Sequence, residues 1–309
     1  MERKLLDQGE RILRAGKVLV TGARTGIGQA TAILLARRGF DVYAGVLETK
    51  TATMLRAGIE KVSREGGPGR LTMVELDVTD GESIAAAVAE TGPVDVLVNN
   101  AGILSDREAT ETASIEAGKR TFEVNYWGAI RMIQAVLPAM REAGRGTIVN
   151  ISSMLGRVTL GAEPYYVASK YALEGASEIL AQETARFGIR VAIVEPGTIL
   201  TPMLRGRRAQ MEDGSPYRFA QRRVDAFLRA QLHNATAPAL VAETVLEAIT
   251  SKEPKLRYTS GPDAARMVSK RTEIPDEEWI ADFAIADDEA FFDRMRERFG
   301  FDLWREPAK

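Results

Sequence analysis

The stretch "VLVTGARTGIGQA", residues 18–30, decides the fold. It starts as a short apolar run that suits a strand and ends in "IGQATAILLARRG", whose apolar spacing suits a helix. Between them lie Gly22, Gly26 and Gly28. Gly22 permits a tight turn, Gly26 lets the backbone approach a pyrophosphate, and Gly28 allows close helix packing, while the helix N-terminal amides receive phosphate charge. A glycine cluster alone is only a turn. Between the first strand and first helix of an alternating chain it reads as a dinucleotide cradle. Its spacing departs from the simpler GxGxxG fingerprint, and no Walker lysine and hydroxyl follow, so ATP hydrolysis is disfavoured.

Outward from this turn, apolar runs at 17–21, 41–46, 70–78, 94–98, 146–151 and 189–194 alternate with helix-length segments, and 256–260 supplies a seventh candidate. The pattern predicts an α/β fold: one doubly wound, mostly parallel sheet with helices on both faces. Residues 1–272 form the nucleotide-binding catalytic unit. Within it, about 200–250 combines methionines, arginines and aromatics without a strand period, and reads either as packing or as a helical lid over substrate; Met203, Met211 and Phe219 lie there. Residues 273–309 are an extension with 12 Asp or Glu against 5 Lys or Arg, interspersed with Trp279, Phe283, Phe291, Phe292, Phe299, Phe301 and Trp304. Aromatics among so many charges predict a docked tail, on its own subunit or on another.

The 309 residues carry a formal charge of −2, so no global field draws the protein to nucleic acid or an anionic membrane. There is no cysteine, which excludes disulfides, thiolate ligands and a cysteine nucleophile. The single histidine, His233, reads as a lid, packing or surface residue, and no acidic pair has the context of a metal site. The N-terminal residues lack a secretory apolar run and read as a short polar helix, and no 18-residue apolar span is present; a cytoplasmic protein without integral membrane association is expected.

The reacting groups sit in "EPYYVASKYALEG", residues 163–175. Tyr166 and Lys170 are i and i+4 on one helix face, whereas Tyr165 points about 100° away, toward packing or the substrate entrance. A phenol with a pKa near 10 is a poor base at neutral pH until an adjacent ammonium stabilises its phenolate. Ser153, at the end of "IVNISS", can orient a substrate oxygen; Tyr166 can give or take the proton that accompanies hydride movement; Lys170 can lower the tyrosine pKa and bind a nicotinamide ribose; Asn125 can hold a water linking the lysine to solvent. Asp77 and Asn99 follow the third and fourth strands, on the sheet edge where such folds bind ligands, with Ala101 and Gly102 permitting close cofactor approach. The second strand ends in Val46 and Leu47 rather than an acid, and Arg24 or Lys50 can supply positive charge; the balance tips slightly from NAD toward NADP.

In "TGARTGIG" (21–28), "LDVTD" (76–80), "NNAG" (99–102), Asn125, Ser153, "YVASK" (166–170) and "PGTILT" (196–201), the chain resembles the short-chain dehydrogenase/reductase family over roughly residues 15–265. The resemblance implies a Rossmann-like single domain, NAD or NADP, hydride transfer without a metal, and the Asn125, Ser153, Tyr166 and Lys170 roles above. It also implies cofactor contacts from Thr25 and Ile27 in the turn, Val78 beside Asp77, and Pro196, Gly197, Ile199 and Thr201, the last holding the carboxamide. A homodimer or homotetramer is implied as well. "FDVYAGV" and "RYTSGPDA" are somewhat similar to the branch containing retinol and 17β-hydroxysteroid dehydrogenases, which suggests an apolar or aromatic secondary alcohol or its carbonyl partner. Met154 and Leu155 beside Ser153 suit such a pocket and equally suit core packing. The alternatives are a noncatalytic dinucleotide sensor, which would bind cofactor without turnover, and an epimerase or dehydratase, which would form product without net cofactor conversion.

Overall fold

Short runs rich in valine and isoleucine build the sheet. In the computed structural model, which describes residues 16–300 apart from 65, 67, 206–213 and 233–234, the strands are β1 (Lys17–Val20), β2 (Asp41–Val46), β3 (Arg70–Glu75), β4 (Val96–Asn99), β5 (Gly146–Ile151), β6 (Ile189–Pro196) and β7 (Arg257–Ser260). Met211, His233, Phe301, Trp304 and the expected N-terminal helix lie outside the described residues. All strand pairs are parallel, in the order β3-β2-β1-β4-β5-β6-β7. The chain therefore winds outward from β1 in one direction and resumes from β4 in the other, opening a crevice at the C-terminal ends of those two strands.

Strand alternation divides the core. Val18, Val20, Val96, Val98, Val149 and Val194 face one layer, which contains α1 (Gly26–Arg37) and α2 (Thr53–Arg64). Leu19, Leu97, Ile148 and Val191 face the other, with α3 (Gly81–Thr91), α5 (Ala129–Ala143) and α6 (Pro164–Thr184); α4 (Ile115–Phe122) runs into α5 through a widened π-type turn at Glu123–Gly128. This period of two is what a sheet covered on both faces requires.

Among the described residues, three helices follow β6 before the last strand: α7 (Pro202–Arg205), α8 (Arg218–Leu232) and α9 (Pro238–Thr250). The last corrects the extent of the expected lid, because Val241, Val245 and Ile249 of α9 are buried in the same layer as Ala32, Leu35 and Ala36 of α1. Among the described residues of this segment, α7 and α8 line the crevice, through Pro202, Met203 and Leu204 and through Val224, Phe227 and Leu228. Thr236 fastens the return of this cover: its N–H donates to Thr198 O at 3.1 Å and its carbonyl accepts from Leu200 N at 3.0 Å.

The C-terminal helices α10 (Pro262–Arg271), α11 (Asp276–Phe283) and α12 (Asp288–Phe299) form a third core on their own chain. Trp279, Phe291, Met295 and Phe299 pack with Met154, Val158, Leu160, Val224 and Phe227. Arg223 of α8 is buried among them, with Nε donating to Asp288 at 2.9 Å and its guanidinium 4.1 Å from the Phe291 ring centroid. The acidic, aromatic extension thus holds the cover helix from behind.

Candidate active site

At the C-terminal edge of the sheet lies a cavity of about 710 Å³. The glycine turn forms one end. Gly26 has φ +62°, and a Cβ there would lie 3.2 Å from Thr201 Cγ2, so any larger residue is both strained and crowded. Gly28 is behind the wall: a Cβ would stand 2.4 Å from Asn100 Nδ2 and 2.6 Å from Gly22 O. Asn100 braces the turn, its Nδ2 donating to Thr21 O at 2.9 Å and Gly22 O at 3.1 Å.

Of the residues expected to contact a cofactor, Gly22, Arg24, Thr25, Ile27, Asp77, Val78, Ala101, Gly102, Pro196, Gly197, Ile199 and Thr201 line the cavity. Asp77 is held by Thr79, whose N–H and hydroxyl donate to Oδ1 at 2.8 and 2.7 Å. Asn99 is not on this wall. As the last residue of β4 it turns inward, donating from Nδ2 to Asn150 Oδ1 at 2.9 Å, and Asn150 donates to Ser177 Oγ of α6 at 2.8 Å. Its neighbour Asn100 faces the cavity instead. At the end of β2, Val46 and the following Leu47 line the cavity without a carboxylate, and Glu75, next to Val46 in the sheet, accepts from Thr49 Oγ1 at 3.2 Å.

Tyr166 and Lys170 meet as their helical spacing requires: the ammonium lies 5.7 Å from the Tyr166 ring centroid, and both line the cavity. Lys170 Nζ donates to Ile151 O at 2.9 Å. Burial lowers the Lys170 pKa from 10.5 to about 8, partly opposed by the Glu174 carboxylate. Ser153 is buried on the same wall, and its Oγ accepts from Leu155 N at 3.1 Å, capping the short turn Met154–Gly156. Tyr165 points elsewhere, its hydroxyl donating to Ala113 O at 3.0 Å.

Asn125 lies in the widened turn, buried behind the cavity wall. Its Oδ1 accepts from Ile103 N at 2.8 Å, while Nδ2 donates to Ile103 O at 2.9 Å and Ser169 Oγ at 3.0 Å. The amide therefore clamps the loop after β4 to the helix carrying Tyr166 and Lys170. Sequence reasoning missed Asn100, Ser152, Glu163 and Thr198, all on the wall. The doubled asparagine and doubled serine were visible signals, and Thr198 lay inside the quoted "PGTILT" between Gly197 and Ile199; Glu163 opened the quoted "EPYYVASKYALEG" with no signal of its own.

The residues present fit a dinucleotide. Gly26 lines the cavity without a side chain just where α1 presents its first amides, a place suited to a phosphate. Ser152 Oγ and Thr198 Oγ1 are buried on the cavity wall without a hydrogen-bond partner, as expected of groups that meet a polar ligand.

The short chain dehydrogenase family model matches residues 16–212. The chain belongs to this family. It is 33% identical over 270 residues to a 3-ketodihydrosphingosine reductase of Bacteroides thetaiotaomicron, covering 84% of this chain and 93% of that protein. It is 36% identical over 267 residues to human 17-beta-hydroxysteroid dehydrogenase type 6, covering 80% and 81%. Among solved structures, a short chain dehydrogenase from Burkholderia cenocepacia in complex with NADP matches with TM-score 0.68 and 26% identity, over 89% of this chain and 99% of that one. A 3-oxoacyl-[acyl-carrier protein] reductase from Brucella melitensis with bound NAD matches with TM-score 0.66 and 29% identity, over 84% and 93%. This short-chain dehydrogenase is an NAD(P)-dependent oxidoreductase acting on alcohols and ketones. No helix of its described residues is long and apolar enough to cross a membrane.

Proposed function

We propose that the enzyme interconverts an apolar secondary alcohol and its ketone, with Tyr166 moving the proton. The observation that carries this reading is the Tyr166–Lys170 pair on a wall shared with Met154, Leu155, Leu160, Val224, Phe227 and Leu228. When bound, the dinucleotide supplies or accepts the hydride. Ser153 Oγ orients the substrate oxygen, and Tyr166 gives it a proton in reduction or removes one in oxidation. Lys170, held on Ile151 O, presents positive charge to the phenol and favours its ionised form. Asn125 acts by positioning, since its amide is spent on Ile103 and Ser169.

NADP is the preferred dinucleotide in this reading, because Arg24 lies at the glycine turn and no acid lines the end of β2. A 3-ketodihydrosphingosine or a 17-beta-hydroxysteroid, the substrates in the relatives' names, suits a cavity lined by Met154, Leu155, Leu160, Val224 and Phe227. The test is oxidation of NADPH and NADH with a panel of apolar ketones, and reduction of NADP and NAD with the matching alcohols. Turnover confined to small polar carbonyls would overturn the substrate class. The homodimer or homotetramer implied by the family resemblance is checked by light scattering on the same preparation.

A further inference from the structure

The Tyr166–Lys170 pair continues one turn further along α6. Glu174 stands four residues after Lys170, the offset that places side chains side by side on one helix face, and both are buried. Arg257 of β7 holds the Glu174 carboxylate, its Nε donating to Oε2 at 3.0 Å. The other oxygen, Oε1, is buried without a hydrogen-bond partner. It lies beside the turn after β5, where a Cβ on Gly156 would stand 3.3 Å from Glu174 Oε1 and 2.7 Å from Ser152 Oγ, a hydroxyl on the cavity wall.

The same arginine gathers further charge behind the wall. Its Nη2 donates to the half-exposed Glu178 at 2.8 Å, and its Nε lies 3.6 Å from the carboxylate of Glu195 on β6, which is 1% exposed and accepts from Arg157 Nη1 at 3.2 Å. Lys170 therefore has Glu174, Glu178, Glu195, Arg157 and Arg257 on the side away from the cavity, drawn from α6, β6, β7 and the turn after β5. Toward the cavity it meets the Tyr166 ring, and on another side the neutral amide of Asn125 and the backbone of Gly102, where a Cβ would lie 3.8 Å from Lys170 Nζ.

Building on the assignment of proton transfer to Tyr166, we propose that Glu174 is a positioning residue for catalysis: its carboxylate, fixed by Arg257, keeps Lys170 in the charged form that favours ionisation of Tyr166. A buried ammonium holds its proton poorly unless an opposite charge lies near. Burial lowers the Lys170 pKa, and the Glu174 carboxylate opposes that fall. Because Arg257 belongs to the last strand, the pairing of β7 with β6 sets the electrostatics of the reacting pair.

The test is a set of urea titrations of the cofactor-free protein at successive pH values. Wild type is compared with Lys170→Met, and Glu174→Gln with the Glu174→Gln/Lys170→Met double variant. Gln keeps an oxygen for Arg257 and removes the charge. In the first comparison the stability difference is constant below pH 8 and changes above it. In the second, the onset of that change should move down by about one pH unit, because the buried ammonium then releases its proton more easily. An unmoved onset would overturn the proposal, since a carboxylate that only packs alters stability equally at every pH. Should Glu174→Gln not fold, Arg257→Gln decides the matter: it leaves the carboxylate less compensated and should move the onset up, and no movement overturns the proposal.

Single-turnover oxidation of an apolar alcohol with saturating NADP gives the catalytic readout. Glu174→Gln should lose roughly tenfold in rate near pH 8 and little near pH 6, where Lys170 is charged in both proteins. Equal losses at the two pH values would overturn the role in proton transfer. If the wild type oxidises no alcohol and reduces no ketone, the proposed function fails, while the titrations still decide whether Glu174 holds the charge on Lys170.

Discussion

Tyr165 and Tyr166 share a chemical group but not an environment, so they separate proton transfer from packing. Tyr165 has its hydroxyl on Ala113 O, and its ring fills the space in which a side chain at Gly118 would clash, at 2.8 Å. Tyr165→Phe should cost about 1 kcal/mol of stability, the net worth of one hydrogen bond, and keep most activity. Tyr166→Phe should keep its fold and cofactor affinity and lose about 10²–10⁴ in the single-turnover rate of hydride transfer. Equal losses in the two variants would show that the phenol beside Lys170 is not the proton donor. Lys170 has a pH signature of its own. Its folded pKa of about 8 lies below the ordinary 10.5, so between those values the unfolded chain binds more protons than the folded one. Burial of the charged lysine therefore costs stability in full below pH 8, and that cost is relieved as pH rises from about 8 toward 10.5. In urea titrations of the cofactor-free protein, Lys170→Met removes this dependence. The wild type should gain stability relative to the variant across that window, and a constant difference would contradict the depressed pKa.

At the scale of elements, the substrate wall depends on helices that do not touch substrate. Phe291 of α12 is fully buried against the Arg223 guanidinium and lies 5.2 Å from Phe283, centroid to centroid. Its core also contains Met154, Val224 and Phe227, which line the cavity. Phe291→Ala should destabilise the protein by about 3–5 kcal/mol. It should also raise KM for apolar ketones with little change in cofactor affinity, which steady-state kinetics and nucleotide titration separate. Strands β1 to β6 were legible because each holds several apolar residues and has a helix-length connection after it, whereas β7, Arg-Tyr-Thr-Ser, was offered only as a further candidate. What failed was information that local pattern does not carry. Asn99 and Asn100 are equivalent as letters, and only the register Asn99↔Asn150 assigns the first to the interior. Helix α9 has the composition of a cover, yet its buried face meets α1 because the chain must return to the sheet before β7. Likewise the aromatic extension announced that it docks, while its partner surface on α8 and the turn after β5 is a long-range property. Glu163 was read only as the start of "EPYYVASK", since nothing in sequence places a helix-entry carboxylate on the cavity wall.

For the whole molecule, the cavity gathers residues from both halves of the sheet into one site. The cavity is walled by the glycine turn and Asp77 from one half, and by Ser153, Tyr166, Ile199 and α8 from the other. A ligand that binds the folded state across all of these stabilises the entire domain, by about 2.7 kcal/mol at a concentration a hundred times its Kd. The nucleotide that fits Arg24 should stabilise more. Its guanidinium is exposed on the cavity wall, and Val46 and Leu47 bring no acid to repel or replace a 2'-phosphate. At equal concentrations NADPH should therefore raise Tm further than NADH, and each tenfold preference corresponds to about 1.4 kcal/mol. In Arg24→Ala the NADPH shift should shrink toward the NADH shift, while the NADH shift and the unliganded Tm stay near those of the wild type. Equal loss for both nucleotides would assign Arg24 to general positioning of the turn. A larger wild-type shift with NADH would place the preference on the other dinucleotide and remove the phosphate role from Arg24 altogether.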